Sequence, residues 1–168
     1  AALAAAHAAD VVHRDLKPDN AILCFDANRP AQLKILDFGL AKLIGEETLT
    51  VLTKTGEIYG TPTYMAPEQA SGDHPISPAV DVYAFGIIMF ELLTGAPPFS
   101  SPSLAGLMMQ HVMVPVPKPT LRPGILVSDS FLKFMLRCLE KDPRKRFPSG
   151  SAAQDAFAAT DEIRYLLH

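Results

Sequence analysis

The sequence predicts a mainly α-helical domain with one small β-hairpin, on three observations. DVYAFGIIMFELL, residues 81–93, is apolar nearly all round, which marks a helix buried on most of its faces. Behind it, SLAGLMMQHV, SDSFLKFMLRCLEK and SGSAAQDAFAATDEIRYLL read as further helices set between Pro- and Ser-rich breaks. Only two short apolar runs, AILCF and QLKILDF, read as strands, and DANRPA between them supplies turn residues. At 168 residues the chain is long enough for one domain with a sizeable core.

Taken in order, Ala1 to Ala9 is strongly helix-forming, and Asp10 can end that helix because Asp tolerates the left-handed conformation. The polar loop VVHRDLKPDN follows, and the hairpin of Ala21–Phe25 and Gln32–Phe38 comes next. Gly39 to Gly60 is rich in Thr, Gly and Glu with little periodicity, as expected of a long surface segment, and such segments are usually functional. After MAPEQ comes the apolar central helix. GAPPFSSPS and VPVPKPTLRPG then bracket a short helix, and Ser128 and either Ser149 or Ser151 are N-caps for the last two.

Composition narrows the class. A net charge of −3 gives no general footprint for nucleic acid, and the only dense basic cluster is Lys141, Arg144, Lys145 and Arg146. Cys24 and Cys138 lie in apolar runs and read as buried thiols in a reducing compartment. AALAAAHAAD lacks the basic start and cleavage pattern of a signal peptide. Val82 to Leu93 contains Glu91 and falls short of the roughly 18 residues of a membrane span.

Four motifs occur in one order: HRDLKPDN at His13–Asn20, LDFG at Leu36–Gly39, GTPTYMAPE at Gly60–Glu68 and DVYAFG at Asp81–Gly86, followed by CLEKDPRKRF. Any one alone is weak. Together they resemble the C-terminal, helical lobe of a protein kinase over essentially the whole chain. The Lys in HRDLKPDN is similar to the serine/threonine class, and AHAADVVHRDLKP and YMAPEQASG are similar to bacterial kinases of the eukaryotic type. The resemblance implies a partial kinase domain over residues 1–168, with catalytic loop 13–20, metal-binding DFG 37–39, activation segment 37–68 and helical subdomain 78–168.

The resemblance also implies roles. Phosphoryl transfer demands positioning and charge neutralisation, with little covalent work for the protein. Asp15 would accept or orient the substrate hydroxyl proton, a role worth about 10² to 10⁴ in rate. Lys17 would reach the transferring phosphoryl group as a point charge. Asn20 and Asp37 would offer hard oxygen ligands to Mg²⁺ brought with ATP. Ile22 would line the nucleotide pocket, unless it is plain core. His13 and Phe38 would stack in the core, and Asp81 would hold the catalytic-loop backbone. Arg14 could pair a phosphate on the long segment, where Thr48, Thr50, Thr53 and Thr55 are candidate acceptors, and Thr61 would contact Asp15 and Lys17. Arg146 would form an ion pair with Glu68, leaving Lys141, Arg144 and Lys145 as a solvated face. Glu91 would either meet basic substrate residues or be structural. Phe147 stands where relatives often have Pro, and Asp10 where they often have Gly.

No G-x-G-x-x-G loop and no strand Lys in a VAIK-like context occurs in the chain, so the N-terminal lobe is expected to be absent and the isolated chain inactive. A fragment of a serine/threonine kinase is the leading reading. Its partners would be ATP and a protein substrate with a Ser or Thr acceptor, its location the cytoplasm, with no membrane segment in this chain. The alternatives are a stand-alone C-lobe scaffold or pseudokinase-like binding module, which predicts eroded catalytic residues, and a small-molecule phosphotransferase, against which GTPTYMAPE resembles a peptide-docking platform.

Overall fold

The computed structural model describes residues 1–26, 29–37 and 62–161. Helix α1, Ala2–Ala8, ends as its sequence predicts: Asp10 takes a left-handed φ of 57°. Val11 N–H then donates to Ala6 C=O at 2.9 Å and Asp10 N–H to His7 C=O at 3.2 Å, satisfying carbonyls the helix leaves open.

Strands β1 (Ala21–Asp26) and β2 (Arg29–Ile35) pair antiparallel, with Ala21 opposite Ile35 and Ile22 opposite Lys34. The turn is tighter than DANRPA suggested, because β2 takes in Arg29 to Ala31 and stops before Leu36. Pro30 is tolerated there because each strand of a two-stranded sheet has one edge without ladder bonds. Cys24 is a correction. It is only partly buried, and its neighbours Leu23 and Phe25 are exposed, since apolar residues alternate to both faces of a sheet. Cys138 is the buried thiol expected, and burial pushes it up to about 12.

The rest is helical: α2 (Pro67–Ser71), α3 (Ala79–Thr94), α4 (Leu104–Met113), α5 (Asp129–Cys138) and α6 (Gly150–Ala158). Helix α3 is the central post, burying Val80, Val82, Tyr83, Ile87 and Phe90, and it stops at Gly95, whose φ of 90° suits a residue without Cβ. Phe134 of α5 packs on Phe147 and on Phe157 of α6, with ring centroids 5.2 and 5.5 Å apart, so Phe147 is a core residue. Ser128 caps α5 by accepting from Phe131 N–H at 3.1 Å. Ser149, rather than Ser151, caps α6 by accepting from Ala152 N–H at 3.2 Å. Ser103 does the same for α4, a cap the Pro-rich context hid. Among the described residues no helix is long and apolar enough to cross a membrane.

The basic cluster is not one surface. Arg146 is buried, and Lys141 is half-buried, its Nζ donating to His111 C=O at 2.6 Å and Gln110 C=O at 3.3 Å while lying 4.1 Å from the Phe99 ring centre. Gln110 C=O also accepts Val114 N–H at 3.0 Å, but the residue four beyond His111 is Pro115, which has no N–H, so the cation at the end of α4 satisfies the carbonyl that the helix leaves open. Burial, and then the Arg146 charge, lowers Lys141 to about 8. Arg144 and Lys145 are the exposed pair that remains.

Candidate active site

The site begins with one buried carboxylate. Asp81, in the first turn of α3, accepts His13 N–H at 2.7 Å on Oδ2 and Arg14 N–H at 2.8 Å on Oδ1. Arg14 sits at a φ of 68°, a left-handed conformation that costs a non-glycine residue on the order of 1 kcal/mol or more. Two charge-assisted bonds from successive amides offset that strain. The chain then turns so that Leu16 enters the core while Asp15 faces outward, its side chain 48% exposed.

Around Asp15 the other candidates gather. Lys17 Nζ lies 2.8 Å from Asp15 Oδ2. Asn20, buried at the end of a Pro18–Asn20 3₁₀ turn, donates Nδ2–H to Asp15 C=O at 2.8 Å, which leaves its Oδ1 as the atom that can meet a cation. Asn20 C=O accepts Leu36 N–H at 2.8 Å, and Leu36 C=O accepts from His13 Nε2 at 2.8 Å. Leu36 is therefore clamped on both sides. The next residue, Asp37, is exposed at a φ of 58° at the same end of the hairpin as Asn20. His13 thus does more than fill the core: it ties the Asp15 loop to the residue before Asp37. Ile22 lies one position beyond Ala21 on β1 and is 45% exposed. Phe38, Gly39, Thr48, Thr50, Thr53, Thr55 and Thr61 lie outside the described residues.

Gln69 completes the support, and the sequence reading missed it. Its Nε2 donates to Arg14 C=O at 2.9 Å and its Oε1 accepts Ala66 N–H at 3.0 Å, joining the start of α2 to the loop that carries Asp15. A Gln at the third position of a helix is a recognisable signal, since it can reach back to the amide preceding the first turn. Glu91 accepts from Tyr64 Oη at 2.7 Å; burial, and then this bond, raises the Tyr64 hydroxyl well above the usual tyrosine range. A cavity of about 740 Å³ lies behind the loop, bounded by Leu16, Ala21, Ile35, Val82 and Phe157, and Asp15, Lys17, Asn20 and Asp37 are not among its lining residues.

Comparison with known proteins places this frame in a family. A family model described as protein kinase domain matches residues 1–158. The chain belongs to the protein kinase family. It is 40% identical over 165 residues to the serine/threonine-protein kinase pkn3 of Myxococcus xanthus, covering 97% of this chain and 30% of that protein. Identity to Pkn1 of the same organism is 42% over 166 residues, 97% of this chain and 23% of that protein. Identity to PknA of Mycobacterium tuberculosis strain H37Rv is 39% over 160 residues, 94% of this chain and 34% of that protein. The chain therefore spans about a third or less of the length of these curated relatives. Within the kinase frame the long-range pair expected from the motifs is present: Arg146 meets Glu68 of the APE motif in the core.

Proposed function

We propose that these residues form the helical, C-terminal lobe of a bacterial serine/threonine protein kinase that works in the cytoplasm and moves the terminal phosphoryl group of MgATP to Ser and Thr hydroxyls of proteins. The observation that carries this reading is the pairing of Asp15 Oδ2 with Lys17 Nζ at 2.8 Å on a loop whose backbone is fixed by Asp81. An acceptor oxygen and a cation side by side suit a hydroxyl that must lose a proton as it meets a phosphoryl group. Asp15 takes or orients that proton, and Lys17 meets the negative charge on the transferring group. The donor set fits Mg²⁺, a hard ion usually held by one or two protein oxygens together with water and phosphate. Asn20 Oδ1 and the Asp37 carboxylate would hold it, and the ion supplies charge neutralisation for the phosphates. Ile22 offers apolar surface to the nucleotide base.

The division of the chain follows the same reading: catalytic loop 13–20, DFG 37–39, activation segment 37–68 and helical subdomain 78–168. Residues 1–168 hold no G-x-G-x-x-G loop and no strand Lys in a VAIK-like context, the parts that in the family cover and pair the phosphates. The test is transfer, by the whole protein, of labelled γ-phosphate from MgATP to a mixed protein acceptor, followed by acid hydrolysis. Label on Ser and Thr that disappears when Mg²⁺ is chelated is expected; label found only on a small-molecule acceptor contradicts the proposal.

A further inference from the structure

We infer that Gln69 is a positioning residue for Asp15, a side-chain amide that holds the peptide just before Asp15 from the first turn of α2 and so couples Asp15 to the chain entering that helix. Gln69 Nε2 lies 2.9 Å from Arg14 C=O, and its Oε1 lies 3.0 Å from Ala66 N. A carbonyl can only accept and a backbone amide can only donate, so the orientation of the side-chain amide is fixed, and a carboxylate in its place could serve only one of the two partners. Glu68, the residue before, is tied into the core by Arg146, and neighbouring side chains on a helix point about 100° apart. One side chain thus anchors α2 while the next reaches across to the loop.

The peptide so held adjoins the strained residue of the loop. Arg14 stands at a φ of 68°, and Asp81 fixes only the amide on its N-terminal side. On its C-terminal side the Arg14–Asp15 peptide has two partners: Asp15 N–H donates to His13 Nδ1 at 3.3 Å, long for such a bond, and Arg14 C=O accepts from Gln69 at 2.9 Å. The shorter of the two is the one that comes from outside the loop. Rotation of this peptide is the motion that relieves a left-handed residue, and it would re-aim Asp15 with respect to Lys17, whose Nζ is 2.8 Å from its Oδ2.

The other end of the amide reads the chain that enters α2. Ala66 N–H holds Gln69 Oε1, and two residues earlier Tyr64 donates its Oη to Glu91 of α3 at 2.7 Å. With residues 62–66 seated in this way the Nε2 donor is presented to Arg14; displaced, they release Oε1 and leave the side chain free to rotate. Gln69 thereby makes the orientation of Asp15 depend on the seating of the segment beside Tyr64, a regulation of the proposed site that turns on one hydrogen bond. This effect on rate rests on the kinase reading above; the set of the Arg14–Asp15 peptide does not.

Two substitutions separate the two bonds. Gln69→Glu keeps an acceptor for Ala66 N–H at the third helical position and loses the donor to Arg14, whereas Gln69→Met, of similar length, loses both. In the whole protein both are expected to lower kcat for protein phosphorylation about tenfold or more with the KM for ATP unchanged, while only Gln69→Met lowers the melting temperature. Crystal structures of wild type and Gln69→Glu are expected to differ by a rotation of the Arg14–Asp15 peptide. A kcat that follows the melting temperature, with Gln69→Glu as fast as wild type, would make Gln69 merely a helix cap, and an unmoved peptide in Gln69→Glu would overturn the positioning role outright. A wild-type protein without phosphotransfer would instead sink the kinase reading, and with it the effect on rate, while the set of the peptide still decides the positioning role.

Discussion

Arg146 and Glu68, far apart in sequence, meet in a two-pronged ion pair with NH1–Oε1 at 2.7 Å and NH2–Oε2 at 2.8 Å, both side chains essentially without solvent exposure. The other guanidinium protons are used as well, on the carbonyls of Ala79, Glu140 and Lys141. All five donors of Arg146 therefore have acceptors, the condition under which a buried charge pair is tolerated. Arg146→Ala leaves Glu68 buried without its partner and is expected to cost about 3 to 5 kcal/mol in urea denaturation. A loss near 0.5 kcal/mol, ordinary for an exposed residue, would contradict the buried pair.

Gly150 should tolerate no side chain. Because the added carbon meets backbone rather than a movable side chain, Gly150→Ala must push α6 from α1, with an expected cost of about 1 to 3 kcal/mol. Thermal unfolding measures it. A neutral or stabilising effect, as replacement of Gly by Ala gives in an open helix, would mean that the two helices are not in contact.

His111 should make the fold acid-sensitive. Tyr83 Oη lies 3.0 Å from its Nδ1, and burial, followed by the Lys141 charge, lowers the imidazole to about 4 from an ordinary value of 6.5. The unfolded chain therefore binds the proton first as pH falls. The contribution of neutral His111 is complete above about pH 6.5 and is lost as pH drops toward 4. Between pH 7 and 4.5 the protein should lose about 2 kcal/mol more stability than His111→Leu does. Parallel losses in the two proteins would contradict the buried neutral ring.

Much of this was legible because its causes are local. Asp10 announces the end of α1, Ser128 and Ser149 announce helix starts, and the apolar run around Ile87 can only be a buried helix. The hydrogen bonds of His7, from Gly150 N–H to its Nδ1 at 2.8 Å and from its Nε2 to Asp81 Oδ2 at 2.9 Å, were not legible, since nothing near His7 says which distant amide its Nδ1 will meet. Lys141 misled for a related reason. A Lys in a basic run reads as solvated until a helix end with an open carbonyl, that of His111, is brought beside it. Cys24 was expected inside because its neighbours are apolar, yet in a two-stranded sheet an apolar run does not ensure a cover. Asp15, Lys17 and Asn20 stand together as the motif implied, and the role of His13 in clamping Leu36 beside them became visible only with the hairpin in place.

The account turns on Asp15, and single-turnover phosphotransfer in the whole protein tests it most directly. Asp15→Asn keeps the size of the side chain and removes the proton acceptor. The account predicts that the rate of transfer to a protein hydroxyl falls by about a hundredfold or more while MgATP binding is retained. Transfer by Asp15→Asn at the wild-type rate would contradict it.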